Sequence, residues 1–245
     1  MNATTILAVT TVIMFAGGLV ILLTGKRRTP AEEIHTICHG IVPLIAACSY
    51  FAMAVGQGSV MLHNEAAPAG VDRVFYFARY VDWSFTTPLL LLTLGLTSMR
   101  HGQKRYGAIT GAVLADVLMI VTAFAFGASV VTWVKWAWFA ISCLAFLGVY
   151  YVIWVSQNEA SARQRDDIRS TYRRNASILS VVWLVYPLVL AASPDGLGML
   201  SDTASVLVIA IIDVVAKVVY GLMTIASDKS ATDRDIAEEG RRAVA

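Results

Sequence analysis

Seven apolar stretches, each about 20 residues long, constrain the fold most strongly, because a helix of that length spans a hydrocarbon layer about 30 Å thick. Within lipid every backbone polar group must be paired inside its own segment, so helices are predicted. Hydrophobic residues make up 57% of the 245 positions and charged residues only 15%, which excludes an ordinary soluble domain. The sequence therefore predicts an all-α membrane protein, a bundle of seven transmembrane helices. Their predicted bounds are Thr5–Thr24, Ile34–Val55, Phe75–Thr97, Ala108–Phe126, Trp133–Val155, Ala176–Ala192 and Thr203–Ile225.

Basic residues gather in alternate loops, which marks those loops as cytoplasmic. One set of loops contains Lys26, Arg27, Arg28, Arg100, Lys104, Arg105, Arg163, Arg165, Arg169, Arg173 and Arg174, whereas the other contains only Arg73 and Lys135. We predict a multi-pass protein of the cell membrane with an extracellular N-terminus, a transmembrane domain over residues 1–226 and a disordered polar cytoplasmic tail over residues 227–245. The net charge is only +2, and the basic residues are spread over short loops, so no nucleic-acid partner is predicted. The number of cysteines is odd and all of them fall in predicted helices, so no structural disulfide is predicted. No spacing typical of metal ligands is present, so no metal site is predicted.

Lys217 interrupts the apolar stretch Val206–Ile225, four residues after the only other charge in that stretch, Asp213. A charge near the centre of a bilayer costs about 2.5–3.5 kcal/mol, so it needs a partner, a water-filled cavity or a chemical purpose. The spacing of four places Asp213 on the same helix face as the lysine. A desolvated lysine is also the residue that forms Schiff bases with carbonyl compounds. We therefore predict a buried ion pair at a reactive amine.

A second polar face lies on the third predicted helix. Offsets of three and four bring Arg79, Asp82 and Thr86 onto one side, and the same side continues through Leu90 to Thr93. Together with the pair on the seventh helix, these residues would balance two positive and two negative charges. The structural alternative is a charge cluster that only holds the two helices together. Apolar packing would do that at lower cost, so a functional cluster is favoured.

These residues make the chain resemble the microbial (type 1) rhodopsins, the bacteriorhodopsin-like family, over essentially its whole length. The matching motifs are Arg79-Tyr80-x-Asp82-Trp83-x-x-Thr86-Thr87-Pro88, Trp183-x-x-Tyr186-Pro187 and Asp213-x-x-x-Lys217. The resemblance implies all-trans retinal joined to Lys217 as a protonated Schiff base. It also implies that Asp82 and Asp213 are the counterions, that Asp82 is the primary proton acceptor and that Arg79 couples them to the extracellular side.

The same resemblance implies a retinal pocket on several helices. Its expected residues are Trp83, Leu90, Met119, Trp138, Ser142, Phe146, Trp183, Tyr186 and Pro187. Asp116 matches a family position that hydrogen-bonds the helix threonine, here Thr87, in a structural and tuning role. Phe139 stands where family members with an antenna carotenoid have glycine, so no carotenoid partner is expected.

The largest departure from the family pattern is Thr93, because efficient outward pumps have an acidic proton donor there. A threonine hydroxyl does not titrate in a useful range, so the proton must return from water or from another side chain. Pro43 matches the family's proline in the second helix, and the resemblance implies that His39, four residues earlier, faces Thr93. Its ordinary pKa of about 6.5 suits a proton shuttle. A neutral histidine satisfied by Thr93 or by a carbonyl is an equally open interpretation.

Proton release at the outer side is also altered relative to the family. Asp195 matches one of the two acidic release residues, but the second position is Ser205, with Asp202 one turn away as a substitute. The alternative, and the default, is that both acids are ordinary solvated loop residues.

Two functions compete on this basis. A light-driven outward proton pump is favoured by the intact Arg79, Asp82, Thr86 and Asp213. A photosensory receptor that signals through a transducer is favoured by the missing carboxylic donor, although Ala216 lacks the threonine found there in one sensory class. Neither is an enzyme. The expected partners are the lipid bilayer, protons and, by analogy with the family, other copies of the chain in a trimer or pentamer.

Overall fold

The computed structural model describes residues 2–63, 72–102 and 106–244, and seven helices account for most of them. Six of these helices are long and apolar enough to cross a membrane, and the exception, α3, carries the predicted polar face. Lys104 and Arg105 of the basic loops lie outside the described residues. The helices are α1 (Ala3–Thr24), α2 (Pro30–Ala54), α3 (Phe77–Ser98), α4 (Tyr106–Ala128), α5 (Thr132–Ser161), α6 (Asp166–Ala192) and α7, built from Asp202–Val214, Val215–Val219 and Tyr220–Val244. The protein is a multi-pass integral membrane protein with an all-α bundle.

Helix starts differ from the predictions because hydropathy detects only the apolar part of a helix. Helix α2 begins at Pro30, with the Thr29 side chain accepting a hydrogen bond from the Glu32 backbone N–H. Helix α6 begins at Asp166, ten residues before the predicted Ala176, and its first turns are polar. Side-chain caps and proline at the first position stabilise such polar turns without lipid contact.

A two-stranded antiparallel sheet, which the sequence did not predict, joins α2 to α3. Strand β1 is Val60–Leu62 and strand β2 is Arg73–Phe75. Phe75, the predicted first residue of the third helix, therefore lies in a strand. The residues in register are Val60 with Phe75, Met61 with Val74 and Leu62 with Arg73.

The sheet identifies one end of the bundle. Arg73 donates to the Gly127 carbonyl at the end of α4 and pairs with Asp195 in the α6–α7 connection, so these segments lie together at what we call the sheet end. The opposite end, which carries the polar extension of α7, is called the tail end.

The expectation of a disordered tail was wrong. Helix α7 continues through Tyr220–Val244 because its acidic residues meet arginines from the connections between other helices. Arg28 pairs with Asp233 at 2.6 Å, and Arg165 pairs with Glu238 at 3.0 Å. Several such pairs in one region stabilise a helix that isolated surface pairs would not.

Close packing of α1 against α7 positions the lysine-bearing segment. A Cβ atom at Gly17 would lie 2.6 Å from the side chain of Val218, the residue after Lys217, so only glycine permits this approach. Because lipid tails are as apolar as leucine, such contacts stabilise the bundle by van der Waals packing rather than by removal from water. The segment Val215–Val219 is a π-helical turn, a feature often found at functional sites.

Candidate functional site

Lys217 lies at the centre of a buried charged cluster, with 1% of its surface exposed. Its Nζ donates to Asp82 Oδ2 at 2.5 Å and to Asp213 Oδ1 at 3.1 Å. The predicted meeting of α3 and α7 through these charges is confirmed. Both carboxylates are at most 1% exposed, so the lysine and its two partners are shielded from bulk water together.

Asp213 is held by neutral donors as well as by the lysine. Tyr50 donates to its Oδ2 at 2.7 Å, and Tyr186 donates to its Oδ1 at 2.6 Å. Trp83 Nε1 completes the set at 3.4 Å from Oδ1. This network uses both oxygens of Asp213 and fixes the orientation of its carboxylate.

Asp82 has a different environment. Its Oδ1 is buried and has no hydrogen-bond partner among the residues that the structure describes. Thr86 Oγ1 lies one turn along and donates to the backbone carbonyl of Asp82 at 2.9 Å. Asp82 therefore has an oxygen on which a proton can be placed, whereas both oxygens of Asp213 already accept hydrogen bonds.

Arg79 lies on the sheet-end side of this cluster and is 4% exposed. Its Nε and Nη2 have no hydrogen-bond partner within the described ranges. Its guanidinium carbon lies 4.7 Å from the centre of the Tyr76 ring, a cation–π contact. Tyr76 Oη in turn donates to Asp202 Oδ2 at 3.0 Å, so polar groups continue from Arg79 to the start of α7.

The two outer acids are not the solvated loop residues of the default interpretation. Asp195 is only 6% exposed, pairs with Arg73 and accepts a bond from Lys135 Nζ at its backbone carbonyl, 2.9 Å away. Burial raises the pKa of the Asp195 carboxyl, although the positive charge of Arg73 acts in the opposite direction. Burial and the neighbouring Asp202 likewise raise the pKa of Tyr76 to about 12.

An apolar cavity extends from Lys217 between α3, α4, α5 and α6, with about 710 Å³ of space not filled by atoms. Among the described residues that line it, Lys217 alone is charged. The cavity thus suits a long apolar molecule attached at one end to an amine. The expected pocket residues that line it are Lys217, Trp83, Thr87, Leu90, Met119, Ser142, Phe146, Trp183, Tyr186 and Pro187.

The structure contradicts the prediction for Trp138, which is 37% exposed and does not line the cavity. Its neighbour Phe139 lines it instead, together with Ser142, Cys143 and Phe146. Offsets of three, four and seven from Phe139 define one helix face, and adjacent residues point about 100° apart. The periodicity of α5 could have identified this face. The cavity is also lined by residues that were not predicted from the sequence, namely Ile120, Ala123, Phe126, Cys143, Leu190 and Ala216.

Asp116 makes the hydrogen bond expected of it. Thr87 Oγ1 donates to Asp116 Oδ2 at 2.7 Å and also lies 2.7 Å from the Trp83 carbonyl, so the hydroxyl connects α4 to the bend of α3. Asp116 is fully buried and does not line the cavity. It supports the wall behind Thr87.

Thr93 and His39 lie on the tail-end side of the cluster. Thr93 Oγ1 donates to the Leu90 carbonyl at 2.9 Å. His39 is fully buried, and neither ring nitrogen has a hydrogen-bond partner in the part of the chain that the structure describes. Its ring lies 5.6 Å from that of Tyr220 and 6.3 Å from that of His35. The interpretation of a histidine satisfied by Thr93 or by a carbonyl is therefore wrong.

Sequence and structure comparisons place these features in a known group. A family model for "Bacteriorhodopsin-like protein" matches residues 1–231. Archaerhodopsin-2 from Halobacterium sp. (strain aus-2) is 33% identical over 90% of this chain and 83% of its own length, and sensory rhodopsin-2 from Natronomonas pharaonis is 30% identical over 93% and 88%. The crystal structure of the light-driven proton pump Coccomyxa subellipsoidea rhodopsin is similar with a TM-score of 0.84, 30% identity and coverage of 92% of this chain and 96% of that one. The chain therefore belongs to the bacteriorhodopsin-like family of microbial rhodopsins, which bind retinal.

Proposed function

We propose that the protein is a light-driven outward proton pump that carries all-trans retinal as a Schiff base on Lys217. The observation that carries this proposal is the position of Lys217 Nζ between two carboxylates with unequal surroundings, at one end of an apolar cavity. The similarity to a structure described as a light-driven proton pump supports it.

The lining of the cavity fits the proposed cofactor. When bound, retinal supplies light absorption and an isomerisation next to the attachment nitrogen. Trp83 and Trp183, each 4% exposed, provide flat aromatic walls, and Tyr186 packs edge-on against Trp83 with 5.2 Å between ring centres. Phe139 closes the α5 side with a bulky ring, which supports the proposed absence of a carotenoid partner.

Charge and hydrogen bonding favour one direction of proton transfer. Lys217 Nζ holds the proton, and Asp82 Oδ2, 2.5 Å away, is its acceptor. Both oxygens of Asp213 already accept hydrogen bonds from two tyrosines and a tryptophan, so Asp82 is the better acceptor of the two. Burial of the whole cluster keeps bulk water from returning the proton at random.

The proton is released along the polar groups that lead toward the sheet end, which we propose to be extracellular. Arg79 lies between the counterions and the Tyr76–Asp202 pair, so a change of charge at Asp82 changes the electrostatic potential at that pair. Asp195, which pairs with Arg73 nearby, is the second acid of the release region.

The proton returns from the tail end past Thr93, with assistance from His39. Thr93 cannot donate a proton at any useful rate, and its hydroxyl is already bonded to a backbone carbonyl. A neutral imidazole can accept a proton at one nitrogen and release one from the other, and both nitrogens of His39 are uncommitted among the described residues. This arrangement predicts slow reprotonation.

A photosensory receptor is the second candidate. The absence of a carboxylic donor favours it, since a sensor tolerates a slow return, and a relative named sensory rhodopsin-2 shares 30% identity. Under this alternative the chain would signal through a transducer. In either case we propose assembly with further copies of the chain, by analogy with the family.

Illumination of vesicles that contain the retinal-bound protein separates these functions. For the pump we expect light-dependent acidification on the sheet-end side that a protonophore abolishes. No pH change would favour the sensor, and alkalinisation on that side would contradict outward transport. The sidedness of the vesicles is established by protease access to the tail of α7.

A further inference from the structure

We propose that a groove on the outer face of α6 binds the phosphate headgroup of an anionic membrane lipid. The groove lies at the tail end and has about 870 Å³ of space not filled by atoms. Its lining residues recur every three or four positions along a single helix. They are Asp166, Arg169, Ser170, Arg173, Arg174 and Ser177.

The groove contains positive charge that is not paired with any carboxylate of the described residues. Arg28, Arg100 and Arg165 all make ion pairs with carboxylates. Arg169 and Arg173 make none in the described ranges, and the Nε of Arg169 is buried without a hydrogen-bond partner there.

The third arginine of the groove, Arg174, donates to neutral oxygens only, at Asn175 Oδ1 and Ser227 Oγ. Three arginines against the single carboxylate of Asp166 leave a net charge of +2 in the groove. Arginine forks match the geometry of phosphate oxygens, so an anion with several oxygens is the appropriate partner.

The position of the groove along α6 matches the level of lipid headgroups in a membrane. Helix α6 has 27 residues and is therefore about 40 Å long, which exceeds a hydrocarbon layer of about 30 Å by roughly two turns. The apolar run of the helix begins at Ala176, and the arginines occupy the turns immediately before it. They lie where headgroup phosphates lie.

The surface next to the groove argues for a lipid rather than a free anion. After Ser177 the same face of α6 continues through Val181, Leu184 and Leu188, at offsets of four, three and four. Their side chains are 69%, 51% and 63% exposed on the bundle surface. A basic groove continued by an exposed apolar strip fits an amphiphile, with the phosphate at the arginines and the acyl chains along the strip.

The test compares lipid preference in nanodiscs of phosphatidylcholine containing a minority of phosphatidylglycerol. Association of spin-labelled phosphatidylglycerol with the full-length protein is measured against that of spin-labelled phosphatidylcholine. In the double variant Arg169→Gln/Arg173→Gln we expect the preference for phosphatidylglycerol to fall about 25-fold, which corresponds to about 1 kcal/mol for each arginine. Arg169→Lys/Arg173→Lys, which keeps the charge, should retain most of the preference.

The matched control is Arg241→Gln/Arg242→Gln, which removes two exposed charges from the end of α7. An equal loss of preference in the control would show that the effect is diffuse electrostatics and would overturn the site. Displacement of the labelled phosphatidylglycerol by inorganic phosphate would overturn the assignment to a lipid. Circular dichroism and elution volume confirm that the variants are folded. The outcome does not depend on light-driven transport.

Discussion

The two halves of the bundle on either side of Lys217 are built differently. Toward the sheet end, carboxylates, tyrosines and Arg79 follow one another from the lysine to Asp202. Toward the tail end, Thr93 bonds only to its own helix backbone, and His39 makes no hydrogen bond with any described residue. The exit side carries the charge of Arg79 and the hydrogen-bonded Tyr76–Asp202 pair, whereas on the return side neither Thr93 nor His39 bonds to a side chain of the described residues. A proton should therefore leave quickly and return slowly.

The largest expected effect comes from removing the amine that divides the two halves. Lys217→Ala should abolish visible absorption after incubation with retinal, because no other lysine lines the cavity among the described residues. An absorption spectrum measures this directly. Lys229→Ala, at an exposed position on α7, is the control and should remain coloured. Colour that survives in the Lys217 variant contradicts the attachment site.

On the exit side, Asp82→Asn should lower light-driven proton transport at least about 100-fold, because an amide cannot take the proton from Lys217. Asp116→Asn is the matched control, since Asp116 is a buried carboxylate that bonds Thr87 and does not touch the lysine cluster. It should leave transport within a fewfold of the unmodified protein. Undiminished transport in the Asp82 variant would show that the acceptor is another group.

On the return side, Thr93→Asp should accelerate reprotonation about 10-fold or more, because it supplies a titratable donor where the chain has only a hydroxyl. Flash photolysis measures the recovery time. Thr93→Val, which removes the hydroxyl without adding an acid, should leave that time nearly unchanged. If the aspartate variant recovers no faster, proton return is not limited at this position.

The contribution of His39 is expected to be smaller. His39→Ala should slow reprotonation several-fold, since the imidazole lies between α2 and α7 on this side and, unlike the neighbouring His35, is not paired with a carboxylate among the described residues. The recovery time is followed by flash photolysis at several pH values, with Cys38→Ala as a neighbouring control. An unchanged recovery across pH would remove His39 from the return path.

The smallest effect tests how Asp213 is held. Tyr50→Phe deletes one donor to that carboxylate and should lower the stability of the folded protein by about 1–3 kcal/mol, with a shift of the absorption maximum. Thermal bleaching of the colour measures the stability change. Tyr106→Phe, on an exposed ring, is the control. Equal bleaching curves for the unmodified protein and the two variants would mean that the hydrogen bond from Tyr50 adds nothing to the stability.

Local patterns in the sequence predicted the seven-helix bundle and the pairing of Asp213 with Lys217, because both follow from helical periodicity and from the cost of charge in lipid. The assignment of Trp138 to the pocket was wrong by one position on the helix, since the face of α5 that lines the cavity begins at Phe139. The sheet and the helical tail were missed because each depends on contacts with distant segments.

The sequence alone determined the membrane class, the lysine paired with Asp213 within an apolar helix and the absence of an acid at position 93. Only the tertiary structure decided that Asp82 and Asp213 are unequal, because their donors come from α2, α3, α6 and α7, whose approach no local spacing encodes. It also decided that His39 is uncommitted and that Asp195 is buried against Arg73. The physical reason is the same in each case: a residue type sets what a side chain can bond, whereas packing sets which partners reach it.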